Sequence, residues 1–211
     1  MTFNPLMTKA VSGLMPFFEA TNSHSVIELG SQTLTVGFKE RPDIETAEQF
    51  YKALGFERYE AIDTDGTGTM NLDLNEVIFS TDKYGLVTNN GTGEHVFNQA
   101  ALLETMHNLC EPGGLMLHVM PWINWINHGF YNFHPTLYHD LAHANGYEIL
   151  QAYAGDRDGN IVLDDIIINE DKKPTGHDKN ISLVVVMRKG HESKFTFPIQ
   201  GIVTGKQMPR S

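Results

Sequence analysis

Apolar and polar positions along the chain fall into two alternating rhythms. Val26 to Leu29 is a short apolar run stopped by Gly30, the pattern of a strand buried on both faces. Ile44, Ala47, Phe50/Tyr51 and Leu54 then recur at helical spacing, with Pro42-Asp43 to open a helix and Gly55 to close it. Strand patterns follow at Arg58–Ile62, Thr69–Leu72 and Tyr84–Thr88, and a second helix pattern at Val96–Leu109. EPGG at 111–114 reads as a tight turn before an apolar strand, Leu115–Met120. Pro135–Asn145 reads as a helix with Pro in its first turn and Gly146 just past its end. Strands at Tyr147–Tyr153, Ile161–Ile168 and Ile181–Lys189 complete the pattern, and LVVVM in the last of these predicts burial on both faces. Strands alternating with helices predict right-handed βαβ crossovers and a mostly parallel, doubly wound sheet with helices on both sides.

In such a sheet, ligands bind beyond the carboxyl ends of the strands. That rule selects four loops, ELGSQ from Glu28, DTDG after Ile62, DLNE after Leu72 and NNGTGEH after Thr88, each polar and each following an apolar strand. Composition narrows the ligand. The 211 residues suffice for one sizeable core, and a net charge of −11 with scattered Lys and Arg argues against a nucleic-acid partner. A single cysteine, Cys110, rules out an intrachain disulfide and fits a cytoplasmic setting. No apolar stretch is long enough to span a membrane, and the short run Ala10–Phe18 reads as part of the fold, not as a signal peptide. One domain is expected: a lead-in at 1–24, a ligand-binding core at 25–155, an insertion at 156–180 and a last strand and tail at 181–211.

A dinucleotide loop needs several glycines to seat a pyrophosphate, and a P-loop needs a lysine; the turn after Leu29 has Gly30 alone and no basic residue. That disfavours a nicotinamide-dependent oxidoreductase and favours a nucleoside ligand without phosphate, with Asp63 or Asp65 for ribose hydroxyls and Asp73 for an adenine amine. The ordered segments ELGSQ, AIDTDG, NLDLNE, LVTNNGTGEHVFNQ and CEPGGLMLHVMP resemble those of class I S-adenosylmethionine-dependent methyltransferases of the small-molecule type. The resemblance implies a Rossmann-like three-layer α/β/α sandwich with an antiparallel last strand, and S-adenosylmethionine as cofactor. It places Glu28, Gly30, Ser31 and Gln32 at the methionine end, Asp63 and Thr64 at the ribose, Asp73 and Leu74 at the adenine, and Asn89 and Asn90 facing the transferred methyl. Two positions depart from the family pattern: Gln32 stands where a second glycine is usual, and Gly85 where an acid is often found.

The fourth strand ends in NNGT and lacks the Asn/Asp-Pro-Pro-aromatic turn of base methylation, so the expected acceptor is a small molecule, through a hydroxyl or carboxyl oxygen. His128 and His95 are the candidate bases for the acceptor proton. No metal is expected. Some quinone-pathway O-methyltransferases that this segment resembles hold a divalent ion with a Glu-His pair and a Glu three residues earlier, and that position here is Gly91. Trp122, Trp125 and Tyr131, with Phe130 and Phe133, mark a lid or acceptor-binding loop. His139 and His143 have zinc-compatible spacing but lack a third ligand, and GDRDGN at 155–160 reads as a hairpin turn instead of a calcium loop. FTFPIQGIV at 195–203 suits an added strand or an interface segment. The competing expectation is a non-catalytic domain of the same fold, its cleft plugged by Gln32.

Overall fold

The computed structural model describes residues 2–18, 21, 23–34, 44–166 and 178–201. The elements run β1 (Thr2–Phe3), α1 (Pro5–Phe18), β2 (Ser25–Leu29), β3 (Thr33–Leu34), α2 (Ala47–Ala53), β4 (Arg58–Asp63), β5 (Met70–Asn71), β6 (Tyr84–Asn90), α3 (Gln99–Leu109), β7 (Cys110–Ile123), α4 (Pro135–Asn145), β8 (Glu148–Asp156), β9 (Ile161–Leu163) and β10 (Ile181–Arg188). Eight strands form one sheet in the order β5-β4-β2-β6-β7-β10-β8-β9, and β1 pairs with β3 in a small separate ribbon. From β5 to β7 the strands are parallel; β10 runs antiparallel between β7 and β8, and β9 is antiparallel to β8. The chain winds outward from β2 through β4 to β5, then returns to β6 and winds the other way. The strand order therefore reverses between β2 and β6, and a crevice opens beyond their carboxyl ends.

Alternate residues of the central strands feed two cores. Leu183, Val185 and Met187 join Met116, Met120, Leu102, Met106 and Leu141 on the α3/α4 side. Val184 and Val186 join Leu115, Leu117, Leu14 and Phe50 on the α1/α2 side. This is the expected Rossmann-like α/β/α sandwich with its antiparallel last strand, and burial on both faces accounts for the continuous apolar run in β10. Among the described residues, no helix is long and apolar enough to cross a membrane.

Several element limits differ from the sequence expectation. Thr46 caps α2 with its side chain on the Gln49 N–H at 3.2 Å while Gln49 Oε1 accepts from the Thr46 N–H at 3.1 Å, so the helix starts at Ala47; Pro42-Asp43 lies outside the described residues. The helix expected from Val96 begins at Gln99, because Asn98 caps it through the Ala101 N–H, and a separate 3-10 turn occupies Gly93–His95. EPGG falls inside the bounds of β7 yet keeps the expected turn, with Gly113 left-handed at φ 84° and the β6–β7 register shifting across it; Gly113 N–H donates to the Lys189 carbonyl and Lys189 N–H to the Gly114 carbonyl. Asn89 and Asn90 fall inside β6, β5 is only Met70–Asn71, and the inserted strand is only Ile161–Leu163, its expected end Ile167-Ile168 lying outside the described residues. Residues 193–201 form no strand, although Phe195 is buried in the α3/α4 core; Ile202-Val203 lie outside the described residues.

Candidate active site

Gly30 ends β2 with φ 84°, and its N–H donates to the Ile62 carbonyl at 2.7 Å. A Cβ here would lie 2.1 Å from Thr92 Oγ1, so the loops after β2 and β6 touch at a point only glycine allows. Beside this contact runs a cleft of about 230 Å³ lined by Gly30, Ile62, Asp63, Thr64, Leu72, Asp73, Leu74, Asn75, Thr92, His95 and Val96. The loops after β2, β4, β5 and β6 thus converge, as the strand-end rule requires. Asp63 Oδ2 accepts from the Ser31 N–H at 2.9 Å and Oδ1 from the Thr64 N–H at 2.8 Å, which fixes the carboxylate while leaving lone pairs for a ligand. Asp73 Oδ1 accepts from both the backbone and the side-chain amide of Asn75, which hold its carboxyl below the usual range.

Gln32 bridges the two loops. Its Nε2 donates to the Asn90 carbonyl at 3.0 Å and to the Gly30 carbonyl at 3.5 Å. Gln32 Oε1, both side-chain polar atoms of Asn90 and Thr92 Oγ1 are buried with no protein partner. Unpaired buried polar atoms are costly. Here they belong to the loops after β2 and β6, which meet beside the cleft that Gly30 and Thr92 line, and they supply both donors and acceptors, the chemistry that suits an amino-acid group carrying an ammonium and a carboxylate. The cleft lining of Asp63, Asp73 and the apolar side chains of Ile62 and Leu74 suits a nucleoside.

Two expected cofactor contacts are corrected. Glu28 does not line the cleft: it points into the α1/α2 side, fully buried, and accepts from the hydroxyls of Tyr51 at 2.9 Å and Tyr59 at 2.8 Å. Burial raises its carboxyl to about 7 despite those bonds. Asn89 is occupied with holding the turn that follows β6: its Oδ1 accepts from the Gly93 N–H at 2.8 Å, and its Nδ2 lies 3.5 Å from His118 Nδ1. Ser31 contributes its N–H to Asp63 and its hydroxyl to the Thr67 carbonyl.

At the cleft rim, the loop after β7 folds back over the 3-10 turn. Phe130 N–H donates to the Glu94 carbonyl at 2.7 Å, and a Cβ on Gly129 would lie 2.7 Å from that same oxygen. The closure sets His128 Nε2 3.2 Å from Glu94 Oε1, with His95 Nε2 4.0 Å from the same oxygen. Glu94 is 1% exposed, its Oε2 has no partner, and burial raises its carboxyl to about 7. Burial lowers the pKa of both histidines; for His95 the neighbouring His128 adds to the effect, and for His128 Arg157 does. The two expected bases are therefore brought together, around a glutamate that the sequence reading left outside the site although it precedes His95 directly.

The aromatic loop divides. Trp125 packs its ring 4.6 Å from that of His128 and donates from Nε1 to the Ile181 carbonyl, and Tyr131 donates its hydroxyl to the Phe97 carbonyl. Phe97 and Phe130 are exposed and meet edge-on at 5.9 Å. Trp122 meets His134 instead, with ring centres 6.3 Å apart, and Phe133 is buried in the core. His139 Nε2 lies 3.3 Å from the Ile166 carbonyl, and the Asp156 carboxylate closes the 156–160 turn on Asn160. Sequence reading also missed His118, buried in β7 against Tyr138, its imidazole pushed down to about 3 by desolvation. Its place in an apolar run gave no signal.

Residues 16–152 match the family described as "Methyltransferase domain". No curated protein sequence matches the chain. Among solved structures it is similar to the N-methyltransferase NodS of Bradyrhizobium japonicum WM9, solved in complex with S-adenosylhomocysteine, at 12% identity and a TM-score of 0.53 over 88% of each chain. It is also similar to the MccD protein, at 10% identity and a TM-score of 0.51 over 88% of this chain and 98% of that one. At these identities the likeness is one of fold. With its family match spanning β2 through most of β8, the chain belongs to the methyltransferase-domain family, as a class I S-adenosylmethionine-dependent methyltransferase.

Proposed function

We propose that this enzyme transfers the methyl group to a hydroxyl or carboxyl oxygen of a small-molecule acceptor. The observation that carries the reading is His128 hydrogen-bonded to the buried Glu94, beside His95 on the cleft rim. When bound, S-adenosylmethionine supplies an electrophilic methyl on a sulfonium. Asp63 holds the ribose hydroxyls, Asp73 and Leu74 flank the adenine, and Gln32, Asn90 and Thr92 take the amino-acid end. His128 receives the proton of an acceptor hydroxyl, and Glu94 keeps the imidazole oriented. Trp125 and the exposed Phe97 and Phe130 offer the apolar surface on which the body of the acceptor rests. The remaining contribution of the chain is alignment, worth about 7–11 kcal/mol in well-oriented reactions.

Calorimetry with S-adenosylhomocysteine, with NADH as control, tests the cofactor half. Micromolar binding is expected for the former and none for NADH, and Asp63→Ala is expected to weaken binding by about 10- to 100-fold, the loss of hydrogen bonds to a charged group. Unchanged affinity in Asp63→Ala overturns the ribose assignment. Gln32, which bridges the loops after β2 and β6 beside the cleft, favours a second reading, a non-catalytic domain of this fold. That reading requires no binding by the native chain and binding by Gln32→Gly.

A further inference from the structure

Glu94, His95 and His128 have a second chemical competence. Their donor atoms, one carboxylate oxygen and two imidazole nitrogens, all lie within 4.8 Å of one another. Ligand bonds of about 2.0–2.2 Å place neighbouring donors roughly 3.0–3.5 Å apart around one ion. The Glu94 Oε1 to His128 Nε2 separation of 3.2 Å already meets this, and the 4.0 Å to His95 Nε2 closes with a small rotation of a side chain that is 42% exposed. An independent observation points the same way. The Glu94 carboxyl is all but fully buried, and its Oε2 has no hydrogen-bond partner. A carboxylate placed there for structure alone would be expected to have both oxygens satisfied.

We propose that these three residues form a binding site for a divalent first-row transition metal ion. Two imidazoles and one carboxylate select zinc, iron, cobalt, nickel or manganese over magnesium or calcium, which prefer all-oxygen sites. Three protein ligands leave coordination positions open toward the cleft that His95 lines. Two features build the site: the Trp125 ring packs on His128, and the Phe130 N–H bond to the Glu94 carbonyl holds the loop over the 3-10 turn. The role of the ion rests on the oxygen-acceptor reading above; its binding does not. An acceptor hydroxyl on the ion loses its proton to water more readily. Its oxygen then bonds the methyl carbon as the carbon–sulfur bond breaks and the sulfonium becomes a thioether. The ion would thereby take over from His128 the weakening of the O–H bond.

The test is titration of Co(II) into the metal-free native chain, purified without a histidine tag and followed by visible d–d absorption, with S-adenosylhomocysteine binding measured on the same preparations. One equivalent of cobalt is expected, with binding weakened at least about tenfold in Glu94→Gln and in His128→Ala. His139→Ala, which alters a histidine outside the cluster, is expected to bind cobalt as the native chain does. Retained S-adenosylhomocysteine binding in each variant shows that it is folded. Absence of the cobalt spectrum in a native chain that binds S-adenosylhomocysteine overturns the metal site and spares the methyltransferase reading. A spectrum that survives both Glu94→Gln and His128→Ala places the ion elsewhere and also overturns it. Cobalt binding without S-adenosylhomocysteine binding supports the metal site and removes the catalytic reading.

Discussion

Glu28 shows how one residue can keep a family's position and change its task. Its place two residues before Gly30 suggested a cofactor contact, but the side chain turns into the α1/α2 core, where two tyrosine hydroxyls donate to it. Alternation along β2 explains the direction: Ile27 and Leu29 face the α3/α4 core, so Val26 and Glu28 face the other side. Burial raises the carboxyl from 4.5 to about 7, so the folded chain binds this proton more tightly than the unfolded chain does. The stability this contributes is complete below pH 4.5, falls as pH rises from there, and is gone above about 7, where a buried carboxylate must be carried. The difference is on the order of 3 kcal/mol. Glu28→Gln keeps the shape and removes the titration. Urea unfolding at a series of pH values is expected to show the native chain losing about that much relative to the variant between pH 4.5 and pH 8. Parallel pH profiles would mean that Tyr51 and Tyr59 compensate the buried charge fully.

At the scale of elements, local signals set some boundaries and distant partners set others. Helix α4 was legible at both ends, because Pro135 and the left-handed Gly146 act through local geometry alone. The start of β7 was not. The Pro-Gly-Gly run does turn, with Gly113 left-handed at φ 84°, but Lys189, just past β10, bonds to Gly113 and Gly114 and draws that turn into the start of β7. The start of α3 depended on Asn98, whose own N–H is held by the Asn75 side chain from the loop after β5. Gly30 combines both influences, since its backbone needs φ 84° and its missing Cβ makes room for Thr92. Gly30→Ala is therefore expected to cost about 1 kcal/mol for the left-handed conformation and about 1–3 kcal/mol more for the clash. Adding Thr92→Ala relieves only the second part. Thermal unfolding of the single and double variants checks this: the double variant should fall between Gly30→Ala and the native chain. Equal melting of the two variants would show that the backbone conformation, not the loop contact, is what requires glycine.

Over the whole molecule, function and reinforcement sit at opposite edges of the sheet. The polar loops at the carboxyl ends of the parallel strands could be found from sequence, because each follows an apolar run. The joining of His128 to Glu94 could not, since the two lie 34 residues apart and meet only because the loop after β7 folds back. Reading one segment at a time therefore kept His128 apart from the Glu94-His95 pair that it meets in the fold. Lys189 was unreadable for a similar reason. It directly follows β10, which runs antiparallel to β7, so it lies at the amino-terminal edge, away from the cleft. It is 1% exposed, and its ammonium donates to the carbonyls of His107 and Cys110 at the end of α3 and to Glu192. A cation on helix-terminal carbonyls satisfies groups the helix leaves open. Lys189→Met strands two carbonyls in the interior and is expected to destabilise the chain by about 2–4 kcal/mol. Because the strands between this edge and the cleft are held by their own ladders, S-adenosylhomocysteine affinity should stay within about twofold of native wherever the variant is folded, well under the tenfold that 1.4 kcal/mol would give. Urea midpoints and calorimetry on the same preparation separate the outcomes. An unchanged midpoint would mean that desolvating the ammonium costs as much as its bonds return. A lost affinity in folded protein would mean that the two edges are coupled through β10 and β7.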